Sequence, residues 1–71
     1  MRLIKMTDEN NLVRFICADK IWEYHYEENF DKTVIHAAGG YAKCPGNKCP
    51  EITDFLLHES DSNKNASLVL K

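Results

Sequence analysis

Residues 21 to 28 read Ile-Trp-Glu-Tyr-His-Tyr-Glu-Glu, an alternation that puts Trp22, Tyr24 and Tyr26 on one side and Glu23, His25 and Glu27 on the other. In a helix Tyr24 would point away from Trp22 and Tyr26; in an extended strand all three gather on one side. Aromatic and β-branched side chains also suit a half-buried pleated surface. This segment is therefore a strand with one side turned to a core, and the rest of the chain is read around it.

Upstream, Met1 to Thr7 is an apolar and basic run closed by the turn cluster Asp8-Glu9-Asn10-Asn11, an opening strand and a hairpin turn. Leu12 begins a second strand in which Val13, Phe15 and Cys17 alternate with Arg14 and Ile16, and Ala18-Asp19-Lys20 reads as a bulge or bend before Ile21. Downstream, Asn29-Phe30-Asp31-Lys32 has turn chemistry, Thr33 to Ala38 resumes the strand pattern, and Gly39-Gly40 suits a two-residue hairpin turn into Tyr41-Ala42-Lys43-Cys44. Pro45-Gly46-Asn47-Lys48 breaks the sheet. Pro50 suits the first helical position, Glu51 and Asp54 sit where the helix dipole favours anions, and Ile52, Phe55 and Leu56 recur at helical spacing. The expected helix covers about residues 50 to 59, a polar link runs from Ser60 to Asn65, and a sixth strand covers about residues 66 to 70, pairing with a sheet edge or a second chain. The expected fold is one small β-dominated (α+β) domain, residues 1 to 71: a small curled antiparallel sheet or SH3-like half-barrel of five to six strands with one short helix.

A four-residue loop at Asn29 to Lys32 sets Tyr26 opposite Ile35, Tyr24 opposite Ala37 and His25 opposite His36. The Gly39-Gly40 turn then sets Ala37 opposite Ala42, Ile35 opposite Cys44 and His36 opposite Lys43. One side of this sheet carries Trp22, Tyr24, Tyr26, Ile35, Ala37, Ala42 and Cys44, large rings beside small residues as a core requires. A base-stacking platform is the alternative for the ring stripe, and core is the better reading. The other side carries Glu23, His25, Glu27, Val34, His36, Tyr41 and Lys43. Imidazoles, a phenol and an ammonium on one surface make His25, His36, Tyr41 and Lys43 the expected ligand-binding residues. Two histidines and a glutamate could form a facial metal site, but no ligand spacing along the chain backs it. Neither a metal nor a cofactor is expected.

Charge and cysteine usage narrow the function. The chain carries a formal net charge of −2 and no Arg/Lys cluster, so duplex DNA is an unfavoured partner, while a composed pocket for a small anion stays open. No run approaches the ~20 apolar residues of a membrane span, and the first residues lack the long apolar stretch of a signal peptide; a cytoplasmic protein is expected. Cys17, Cys44 and Cys49 are an odd count for a disulfide framework, and Cys44 and Cys49 lack the second ligand pair of a zinc ribbon. Cys49, beside Lys48 at a helix start, is expected to have some thiolate character, although an inert or incidentally oxidised thiol is the better reading. Ordering 71 residues at ~1.5 kcal/mol each costs on the order of 100 kcal/mol, which so small a core only just balances; a homo-oligomer is therefore expected. There is no glycine-rich phosphate loop and no nucleophile elbow, so the expectation is a non-enzymatic binding protein.

Arg14-Phe15-Ile16-Cys17-Ala18-Asp19-Lys20-Ile21, then a strand, a turn, Thr33-Val34-Ile35-His36, a glycine turn, a further strand and a helix near Pro50 resembles FlbD-like flagellar and swarming proteins and the first half of LytTR-type DNA-binding domains. Many short phage and mobile-element proteins look like this too. The likeness covers about two-thirds of the chain as an order of elements, and no functional residue transfers by position. It implies a small β fold, and it makes a transcription or motility regulator the alternative function. The first expectation is a phage-type accessory or anti-defence protein that sequesters a small anionic ligand, such as a cyclic nucleotide, or blocks a host protein; a structural oligomer subunit is the third.

Overall fold

A computed structural model describes residues 2–58 and 67–70; the polar link from Ser60 to Asn65 lies outside the described residues. The element order is β1 (Leu3–Thr7), β2 (Val13–Cys17), a 3-10 turn (Ala18–Lys20), β3 (Ile21–Glu27), β4 (Lys32–Ala37), β5 (Gly40–Pro45), α1 (Cys49–His58) and β6 (Ser67–Leu70). The β-rich architecture with one short helix is as expected from the sequence. The strands form two three-stranded sheets in the orders β2-β1-β6 and β3-β4-β5, without closing a barrel. β6 pairs within the chain, parallel to β1, with Ile4 opposite Leu68 and Met6 opposite Leu70. The other pairings are antiparallel.

Alternation along β1 buries Ile4 and Met6, and the periodicity of α1 buries Ile52 and Phe55. With Ala18, Ile35, Ala42, Cys44 and Leu70 they form one apolar cluster, flanked by the partly buried Ile16, Ile21, Tyr24, Leu56 and Leu68. The side of the second sheet that turns inward is the one expected to need the helix. Tyr24 and Thr53 of α1 share a hydrogen bond of 2.7 Å between their hydroxyls, fixing helix to sheet. Arg2 seals another edge, pairing with Asp19 at 2.8 Å and lying 5.8 Å from the centre of the Phe55 ring.

Both hairpins of the second sheet have the expected loop lengths but start one residue earlier. The first loop spans residues 28 to 31, closed by Glu27 opposite Lys32, and the second spans 38 to 39, closed by Ala37 opposite Gly40. Asp31 takes φ +50° and Gly39 takes φ +94°, so the left-handed residue ends each loop and Lys32 and Gly40 belong to strands. Partners move by two positions as a result: Tyr24 lies opposite Ile35, Tyr26 opposite Thr33, His25 opposite Val34, Ile35 opposite Ala42 and His36 opposite Tyr41. A shift of two keeps every side chain on its side of the sheet, apart from Trp22. The ladder is irregular between Ile21 and Glu23, and this bulge carries Trp22 out of the inward row expected for it.

Buried polar groups hold the connections. The Thr33 hydroxyl, fully buried on β4, donates to the Gly46 carbonyl and accepts the Lys48 N–H, each at 2.7 Å. This fixes the segment that leads into α1, where the Asn47 side chain caps the Cys49 N–H at 3.2 Å. Asp8, 5% exposed, organises the first hairpin: its Oδ1 accepts the N–H groups of Asn10 and Leu12, and Arg14 lies 3.6 Å from Oδ2. Leu12 thus closes that turn instead of opening β2.

Ile52→Ala should cost about 2–5 kcal/mol in urea unfolding, because a fully buried side chain leaves a cavity, whereas exposed Leu57→Ala should stay within about 0.5 kcal/mol. The Leu12 N–H, against the opposing effect of burial, and then the Asn10 N–H and Arg14 hold the Asp8 carboxyl below its ordinary value. Its contribution is complete above the unfolded carboxyl value near 3.9 and is lost as pH falls through the lower folded value. Asp8→Asn keeps an oxygen acceptor for the turn but does not titrate, so its melting temperature should fall less steeply than that of the wild type in acid.

Candidate functional site

The outward side of the β3-β4-β5 sheet collects the polar and aromatic residues. β3 supplies Glu23, His25 and Glu27 at a spacing of two, β4 supplies Val34 and His36, and β5 supplies Tyr41 and Lys43. Val34 is 3% exposed and lies in register between His25 and Lys43, an apolar floor between polar neighbours. All four residues expected to bind ligand, His25, His36, Tyr41 and Lys43, are brought together here.

His36 is the hub of a ring cluster. Its imidazole lies 5.1 Å from the Trp22 ring, 5.6 Å from that of His25, stacked at 22°, and 6.0 Å from that of Tyr41. Trp22 is 68% exposed and Tyr41 60%, so both rings stand open to solvent. Lys43 Nζ lies 5.9 Å from the centre of the Tyr41 ring and 3.8 Å from Glu27 Oε1. Glu23 Oε2 is 3.4 Å from His25 Nδ1, and Glu27 Oε2 is 3.8 Å from His25 Nε2. His25 Nδ1 and Glu27 Oε1 are nevertheless buried atoms with no hydrogen-bond partner. Two carboxylates thus stand against one ammonium on this surface.

The first hairpin buttresses the site. The Glu9 N–H donates to the Lys43 carbonyl at 3.1 Å, and Lys32 Nζ donates to Glu9 Oε2 at 2.6 Å. That bond holds the Glu9 carboxyl below its ordinary value. The Asp8 turn therefore positions the edge of β5 as well as closing β1 onto β2. At the other end of the sheet, the Tyr26 hydroxyl donates to Asp31 Oδ1 at 2.5 Å, which raises the Tyr26 pKa and ties β3 to its own loop. Beyond Tyr41 a half-open cleft of about 440 Å³ separates β2 from the β4-β5 hairpin; Arg14, Phe15, Cys17, Lys20, Gly40 and Tyr41 are among its walls.

Trp22 is the site residue that the sequence pattern misplaces. The signal that could have found it is the Ala18-Asp19-Lys20 bend just upstream, since a chain entering a strand from a tight turn is where a bulge disrupts strict alternation. Among the described residues the cysteines join no cluster of three metal-ligating side chains, whereas Glu23, His25 and His36 do. The thiolate tendency expected of Cys49 is not what its surroundings produce. Burial pushes its thiol above the ordinary value, outweighing the opposing influence of the neighbouring Thr33 hydroxyl, and burial does the same to Cys44.

Comparison with family models, with curated proteins and with solved structures gives no match for this chain.

Iodoacetamide at neutral pH should alkylate Cys49 more slowly than free glutathione, with the rate rising only as pH climbs beyond the ordinary thiol range. Mass spectrometry of timed quenches, with peptide mapping to separate Cys17 from Cys49, reads the two rates directly.

Proposed function

We propose that this chain is a non-enzymatic binding protein that acts by occupying a partner protein, with the ring cluster of Trp22, His36 and Tyr41 as its anchor. One observation carries the reading: a tryptophan is displaced by a bulge from the inward row of its strand and held against a histidine on the open side. Trp and Tyr are the side chains that most often dominate binding energy at protein interfaces, because they bury large rigid surfaces at little entropic cost. His25 and Lys43 border the rings and supply donors, as the polar rim of such an interface requires.

The charge arrangement favours a protein over a small anion. Glu23 and Glu27 share the surface with Lys43, whose ammonium already faces Glu27, so a bare anionic ligand meets two carboxylates. Tyr41 also lines the cleft between β2 and the β4-β5 hairpin, whose walls include Phe15 and the cations Arg14 and Lys20. This agrees with an accessory or anti-defence role in which a host protein is blocked. A second copy of this chain is a candidate partner of the same kind. A transcription or motility role rests on the FlbD-like and LytTR-like order of elements.

The test compares wild type with Trp22→Ala/Tyr41→Ala as immobilised bait, after circular dichroism shows that the double variant keeps its strand signature. A partner retained by the wild type and lost by the variant supports the reading, with a loss of about 2 kcal/mol or more expected for anchors of this type. Light scattering at high concentration identifies self-association. Calorimetric binding of a cyclic nucleotide that is abolished by His36→Ala/Lys43→Ala, with no protein retained, would overturn the protein reading in favour of the small anion.

A further inference from the structure

We infer that Glu23, His25 and His36 form a site for one divalent transition-metal ion of the zinc class. One ligand atom from each of the three lies within 4.8 Å of the others. Zinc held at roughly 2.0–2.2 Å by imidazole nitrogens and a carboxylate oxygen needs donors about 3.3 Å apart in a tetrahedron. The His25 Nδ1 to Glu23 Oε2 distance of 3.4 Å already meets that. Glu23 and His36 are direct cross-strand neighbours and His25 follows Glu23 by two on the same strand, so all three project from one small patch of the sheet.

Three further observations point to an occupant. His25 Nδ1 is buried and makes no hydrogen bond, a polar atom out of water with no hydrogen-bond partner. A metal on Nδ1 would supply a partner. The opposite nitrogen, Nε2, faces Glu27 Oε2 at 3.8 Å, and Glu27 is in turn faced by Lys43. A carboxylate that accepts from the far nitrogen of a ligating histidine fixes its tautomer, and Glu27, 3.8 Å from Nε2, would close to that bond on metal binding, as the positioning residue of the site. Finally, an excess of carboxylate over ammonium on this surface favours a cation. The donor set of two imidazoles and one carboxylate suits zinc, and three protein ligands leave one position open on the solvent side for water or for a donor from a partner. The inference stands whether or not a protein covers the ring cluster, because it concerns atoms within one chain.

The full chain, stripped with a chelator and exchanged into a non-coordinating buffer, is titrated with Zn²⁺ by calorimetry and with Co²⁺ by visible absorption. One equivalent per chain is expected, with cobalt d–d bands and no thiolate charge-transfer band. Glu23→Gln and His36→Ala should each weaken Zn²⁺ binding by at least about 10-fold, and Glu27→Gln by about 10-fold to 100-fold, while circular dichroism of the metal-free variants matches wild type. Glu23 is more than half exposed, so its variant tests the site even if His36→Ala fails to fold. No binding, a thiolate band in the cobalt spectrum, or affinity unchanged in folded Glu23→Gln overturns the inference. Loss of metal binding with the Trp22→Ala/Tyr41→Ala partner phenotype intact would remove this site without touching the proposed function.

Discussion

The Thr33 hydroxyl has no access to water, and both of its hydrogen-bonding capacities are spent on one short stretch of backbone, the Gly46 carbonyl and the Lys48 N–H. A buried hydroxyl left unpaired costs of the order of 1–3 kcal/mol, so the burial of Thr33 depends on the 46–48 segment crossing it. Everything downstream inherits this placement. The Gly46 N–H bonds the Asp31 carbonyl, so the loop before β4 and the loop after β5 are locked side by side, and α1 starts at a fixed point above the inward side of the sheet. From there Ile52 and Phe55 reach the cluster around Ile35, and Tyr24 meets Thr53.

Because the helix occupies the inward side, the chemistry collects on the outward side, and the bulge at the start of β3 decides what that chemistry is. Without it, Trp22 would stand in the inward row with Tyr24. With it, the largest ring in the chain leans on His36, and the site gains an apolar wall that neither imidazole could provide. The floor is equally consequential. Val34 is buried beneath polar neighbours, so His25 Nδ1 and Glu27 Oε1 lose water although their side chains remain partly exposed. Polar atoms in that setting have stronger electrostatic interactions than atoms in bulk solvent, whichever ligand they meet.

Much of this was legible in the sequence. Period-two alternation placed the strands, Pro50 with the Ile52-Phe55-Leu56 spacing placed the helix, and parity alone put His25, His36, Tyr41 and Lys43 on one surface. Parity is robust because sliding a hairpin loop by one residue shifts cross-strand partners by two, which never exchanges the sides. What parity cannot show is the partner itself. The outcome turned on Asp31 and Gly39 taking left-handed backbone and ending their loops, where Lys32 and the second glycine read just as well as loop residues. The division into two sheets was not legible either, because the one parallel pairing among the described residues joins β1 to β6 and no local signal in either strand specifies a partner so far along the chain. Burial of Cys49 was hidden for a similar reason: Lys48 is its neighbour in sequence, but the protein around it, including Thr33, sets the thiol's environment.

That parallel pairing also orders events in time. Leu3 lies opposite Ser67, so the first sheet gains its third strand only after nearly all of these residues have been synthesised, whereas both hairpins of the second sheet are complete by Pro45. At about 5–20 residues per second, the interval between the two is on the order of seconds, long compared with the microseconds in which a hairpin forms. During that interval Ile4 and Met6 have no Leu68 and Leu70 beside them, and the edge of β1 that will receive β6 is open. The nascent chain therefore passes through a state in which the strand carrying the fully buried Ile4 and Met6 lacks one of its two neighbours, and contacts of such long sequence separation are of the kind that form slowly.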